Sequence, residues 1–188
     1  MTTSTEVRPP AAPGFLLGLG VGGFVDGILL HQILQWHHMV SAVASSPPTT
    51  LAGLEANTLA DGLFHTGTWV AVVVGVALAV RAWRAGRPAP SAREQIGLVL
   101  TGWGVFNLVE GVIDHQLLGV HHVRDDLGAP LSWDLGFLAF GVLLVALGLL
   151  LRGPLSARRP PAGGPGARRG PGVVAGSPAG RRAARRVR

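Results

Sequence analysis

Two stretches of this chain repeat one pattern of acids and histidines, and each lies in or at the end of a segment apolar enough to cross a bilayer. The first reads Asp26-Gly27-x-x-x-His31-Gln32-x-Leu34-x-x-His37-His38. The second, 84 residues on, reads Glu110-Gly111-x-x-x-His115-Gln116-x-Leu118-x-x-His121-His122. Between Gly18–His38 and Gly102–His122, 10 of 21 positions are identical, and Asp26 stands opposite Glu110. Six of the seven histidines belong to these copies. Ionisable groups at membrane depth are costly, so they point to a functional site.

The flanks decide the fold class. With 188 residues, 48% of them hydrophobic, and a mean hydropathy of +0.40, the chain fits one membrane domain. Its net charge of +6 comes from one end: residues 152–188 hold ten arginines and no acid, leaving six arginines against ten acids elsewhere. The absence of cysteine excludes disulfides, thiolate metal sites, iron–sulfur clusters and c-type haem attachment.

Residues 1–13 read as a short disordered lead. No small-residue cleavage site follows the first apolar run, so it reads as a retained helix, TM1, over 15–39. Residues 41–50 form a loop stopped by Pro47-Pro48, with a helix restarting near Thr50 and leading into TM2 over 59–81. TM3 covers 95–120 and TM4 covers 132–151. Residues 153–188, rich in Gly, Pro, Ala and Arg, read as a disordered basic tail suited to anionic lipid. No aromatic is interleaved with its arginines, which argues against nucleic acid. The basic 85–93 turn and the tail set both termini in the cytoplasm of a plasma-membrane protein.

TM2 and TM4 also match weakly: with Asp61 on Asp134, Phe64 falls on Phe137, Val72 on Val145 and Gly75 on Gly148. The expected architecture is therefore an all-α, four-helix membrane bundle built from a duplicated two-helix unit, with its axis along the membrane normal.

On an ideal helix Asp26 pairs with His37 and His31 with His38, the two pairs separated by ~120°. Glu110, Asp114, His115, His121 and His122 repeat this on TM3, and Asp61 with His65 share a face of TM2. The expected ligand set is Asp26, His31, His37, His38, Asp61, His65, Glu110, Asp114, His115, His121 and His122, gathered in a pocket opening outward. Imidazole with carboxylate suits Cu, Zn or Fe. Several of these residues also have plain structural readings. His38 and His122 could simply face water at the interface, and Asp134 reads first as an N-cap of TM4. Asp125 and Asp126 read as a solvated loop.

Three strings together, Gly23-Phe24 through His38, Asn57-Thr-Leu-Ala-Asp61-Gly-Leu-Phe-His65, and Asn107 through His122, resemble a bacterial family catalogued as domain of unknown function 2243. The resemblance covers about 14–152 and implies a four-helix inner-membrane protein, without implying an activity. The expected role is metal handling or a metal-dependent redox step. A membrane oxygenase or hydroxylase, a b-type haem protein with His31 and His115 as axial ligands, and a metal-free proton or solute pathway stay open, as do enzymatic activity and a homo-oligomeric state.

Overall fold

Proline at the start of a helix sacrifices no hydrogen bond, and Pro13 stands in the first turn of α1 (Ala12–Phe24) in the computed structural model, which describes residues 9–153. The basic tail, on which the expected contact with anionic lipid falls, and most of the N-terminal lead lie outside the described residues. At Val25 the helix changes pitch and continues as π1 (Val25–Ile33). After a loop come α2 (Leu51–Arg84), α3 (Ala92–Glu110), its π continuation π2 (Gly111–Leu118), and α4 (Leu131–Arg152). The described residues are all helix and loop, and four helical rods are long and apolar enough to cross a membrane.

The ends of these elements have local causes. Thr50 accepts from the Gly53 amide and Ser91 from that of Glu94, so α2 and α3 start on side-chain caps. Gly153, at φ 68°, follows the last residue of α4. At 34 residues α2 is ~51 Å long, well beyond a ~30 Å hydrocarbon layer. Its first two turns therefore belong with the loops, where fully buried Asn57 accepts from Val40 N and donates to Ser46 O.

The first rod ends at Ile33, short of the expected residue 39, and Gln35 then takes a left-handed φ of 52°. Gly119 holds the matching place after π2, at φ 57°. His37, His38, His121 and His122 consequently lie on loops, and their pairing by ideal-helix angles does not apply.

The packing is inverted relative to a water-soluble protein. Leu98, Phe106, Val123, Leu144 and Pro13 are the apolar side chains buried among the described residues, against twelve polar or charged ones, while Leu63, Trp69, Leu143 and Leu150 are exposed. Apolar surfaces of this kind fit a lipid surround, where close packing and polar contacts hold helices together. The rods α1 and α3 form the centre, with α2 packed on α1 and α4 on α3. Their approach is close enough to require glycine: a Cβ at Gly18 would strike the Val99 carbonyl, and one at Gly102 the Phe15 carbonyl.

Candidate metal centre

The π turns explain the spacing of the motif. In an α-helix, residues five apart lie ~140° apart around the axis. A π turn closes on the fifth residue and stacks them. His31 Nε2 thus reaches within 2.9 Å of Asp26 Oδ2, and His115 Nε2 within 3.7 Å of Glu110 Oε1. The loop histidines complete the ring, with His121 Nε2 3.2 Å from Glu110 Oε1 and His37 Nε2 4.0 Å from Asp26 Oδ1. One ligand atom each from His31, His37, Glu110 and His121 lies within 4.8 Å of the others, and all four residues are buried. Asp26 and His115, also buried, flank them.

The opposite nitrogen of three of the four imidazoles is hydrogen-bonded from outside the ring. His31 Nδ1 donates to Asp61 Oδ1 at 3.0 Å, and His115 Nδ1 lies 3.5 Å from Asp134 Oδ1. His37 Nδ1 donates to Val123 O at 3.0 Å and His121 Nδ1 to Met39 O at 3.1 Å. Fixing Nδ1–H as donor leaves the Nε2 lone pairs directed inward in the neutral tautomer. There they meet carboxylate oxygens, so acceptor faces acceptor. Asp26 Oδ1 and Oδ2, Glu110 Oε2, Nε2 of His31 and His37, and both nitrogens of His115 have no hydrogen-bond partner, the 2.9 Å approach of His31 to Asp26 lacking hydrogen-bond geometry. An unpartnered buried polar atom costs about 1–3 kcal/mol. A divalent ion, or protons, would resolve all of these contacts together.

Among the sequence-predicted residues, six therefore converge: Asp26, His31, His37, Glu110, His115 and His121. Asp61 stands one shell out, accepting from His31, from His38 Nδ1 (2.7 Å), from Gln32 Nε2 (2.9 Å) and from the Met39 amide (2.9 Å). His38 and His122 clamp Asp61 and Asp134 from the loop side. His65 Nδ1 donates to its own helix at Asp61 O, and the ring stacks on Phe24, outside the cluster. Asp114 lines a separate crevice beside Glu110.

Asp134 does not cap α4. Its carboxylate accepts from His122 Nδ1 (2.7 Å), the Val123 amide (3.0 Å) and Gln116 Nε2 (3.4 Å), matching the partners of Asp61 position by position. The alignment of Asp61 with Asp134 was the sequence signal for this role.

The ring does not open to the loop side. All six of its residues are buried, and on the loop side Arg124 joins the halves as a roof, its guanidinium lying 4.3 Å from the Trp36 ring centre and 5.0 Å from that of Trp133. Arg124 also forks onto Asp126 at 2.8 Å through two nitrogens, holding that carboxyl below the usual carboxylate range. The Ser41 hydroxyl and the His122 amide both donate to Asp125, and Asp126 N donates to Trp36 O, so the two loops are tied together. Asp125 and Asp126 are thus structural ties of the roof.

No curated protein and no solved structure matches this sequence. A family model does, over residues 13–153, which include every residue of the ring and roof. The chain belongs to the family described as Predicted membrane protein (DUF2243).

Proposed function

We propose that this membrane protein holds a transition metal ion through His31, His37, Glu110 and His121, with Asp26 and His115 as flanking ligands, and uses it in metal handling or a metal-dependent redox step. The observation that carries this reading is the inward Nε2 set facing carboxylates, with Nδ1 of His31, His37 and His121 each oriented by a carboxylate or carbonyl. Metal-binding histidines are ordinarily held in this way. Charge supports it: four buried carboxylates (Asp26, Asp61, Glu110, Asp134) have only histidines as ion-pair partners among the described residues. Buried charge needs a counter-charge, and a divalent cation supplies it. Three imidazoles with one carboxylate suit Zn, Fe or Cu(II).

The haem alternative fits poorly. His37 packs against His31 and His115 at 4.4 and 6.2 Å between ring centres, and His121 does so at 5.9 and 4.8 Å, so other imidazoles crowd both of the axial candidates. A proton pathway is the second reading, favoured by the files His38–Asp61–His31–Asp26 and His122–Asp134–His115–Glu110, which lead from part-exposed histidines to the ring. In either case the arginines of the α2–α3 turn set the roofed side outward and both termini in the cytoplasm of a plasma membrane. The two halves are read as copies of one two-helix unit.

Elemental analysis of the detergent-purified protein, followed by titration of the chelator-treated protein with Zn2+, Fe2+ and Cu2+, tests the reading. A retained or restored ion that His37→Ala and His121→Ala abolish is expected. A wild-type protein that neither retains nor takes up any of the three overturns it in favour of the proton pathway.

A further inference from the structure

Between the second rod and the third, a crevice of about 210 Å³ reaches the ring from the side of the bundle. Leu19, Phe64, Phe106 and Ile113 make its apolar walls, and Glu110 and Asp114 are its two acids. Phe64 and Phe106 stand 5.9 Å apart with planes tilted by 49°. Val109 and Ile113 on its lining are 52% and 42% exposed, within a membrane-spanning segment, so the mouth faces lipid. Glu110 itself is buried, and its Oε2 is one of the atoms without a partner.

The halves differ at this place. Where the first half has Leu19 and the third rod has Phe106, the matching pair is Trp103 over Gly22, the indole lying where a Gly22 Cβ would go. Asp114 likewise stands where the other copy has Leu30. The crevice and its second acid thus belong to one side.

We propose that this crevice binds a lipid-soluble hydroxylated aromatic molecule of the quinol class, entering from the bilayer, its ring against the wall made by Phe64 and Phe106 and a hydroxyl donating to Glu110 or Asp114. The volume fits: an apolar cavity of about 150 Å³ already takes benzene, so about 210 Å³ accommodates a substituted ring, with an alkyl tail left in lipid. Aromatic walls suit a flat ring. Carboxylate oxygens accept hydrogen bonds, and Glu110 Oε2 has no partner, so a hydroxyl donor, and with it the reduced, dihydroxy form, is favoured over a carbonyl acceptor. The tail requires only the lipid-facing mouth. Occupancy does not require the ion, which keeps this test separate from that of the metal centre.

The experiment measures anaerobic binding of a radiolabelled decyl-hydroquinone to the full-length protein in nanodiscs, metal-loaded and metal-free. Saturable binding near one per protein is expected, competed by unlabelled hydroquinone and not by its dimethyl ether or by dodecanol. Leu19→Trp, which copies the residue the other half carries, should weaken binding about tenfold or more while metal content stays at the wild-type value. Ile113→Trp fills the same space from an exposed position and serves if Leu19→Trp does not fold. Non-saturable partitioning, equal competition by the ether or dodecanol, or unchanged binding in a folded Trp variant would each overturn the proposal.

Discussion

The imidazoles of His37 and His121 lie face to face, 4.8 Å apart with planes within 3°, and each donates its Nδ1 proton to a carbonyl in the opposite half, at Val123 and Met39. Met39 and Val123 also donate their amides to Asp61 and Asp134 in their own halves. One peptide segment in each half therefore orients ligands on both sides of the centre. Losing a ligand on either side should cost the same ion. His31→Ala and His121→Ala are each expected to abolish stoichiometric metal, with the double variant little worse, since residues acting as a unit are non-additive. Metal per folded protein is the measurement, and half-retention in each single variant would indicate two separate ions.

Asp61 accepts four hydrogen bonds, two of them from histidines. Asp61→Asn turns an amide NH2 towards donors and leaves at least one of them unsatisfied. The expected loss is about 2 kcal/mol of stability in detergent unfolding, with metal affinity weakened about 10- to 100-fold. Asp134→Asn should do less to the ring, because His115 and Gln116 approach Asp134 only to 3.5 and 3.4 Å.

Gln35 holds a backbone conformation that favours glycine, and the other half has Gly119 at the same place. Gln35→Gly should therefore stabilise the fold by about 1 kcal/mol, while Gly119→Ala costs about 1–2 kcal/mol. Unfolding midpoints of the two variants check the opposite signs.

His65 is the one histidine outside both copies, and it bonds its own helix instead of the ring. His65→Leu, which installs the residue found at position 138, is expected to leave metal content unchanged. A large loss measured by elemental analysis would mean that His65 turns inward when the ion is bound.

Because the chain has no cysteine, single Ser45→Cys, Pro90→Cys and Leu127→Cys variants can report sidedness. Impermeant thiol reagent added to intact cells should label positions 45 and 127 and spare 90. Labelling at 90 from outside would reverse the orientation.

The four spans and the six converging residues were legible because apolar runs with repeated histidines obey simple length and cost rules. The means of convergence was not. Asp26 and His31 look misplaced by ~140° on an α-helix, and only a π turn, which no propensity in Val25–Ile33 announces, brings them together. His38 and His122 were indistinguishable from ligands by residue type, since their role depends on which ring nitrogen meets an aspartate. The Arg124 roof was equally hidden, because it joins Trp36 to Trp133 across almost a hundred positions of sequence.

The change of pitch at Val25 and at Gly111 has one more consequence. A π turn holds one residue more than an α turn of the same hydrogen-bonded helix. Removing a single residue between Asp26 and His31 would let the rod relax into ordinary α geometry, with its lower half undisturbed and its local hydrogen bonding improved. The same deletion would leave His31 four residues from Asp26, where an α turn again stacks the two on one face, so this pair would survive in either pitch. Each motif thus contains a supernumerary residue that neither the span nor the acid–histidine pair itself requires, and a shortened protein could insert and pack with that pair intact.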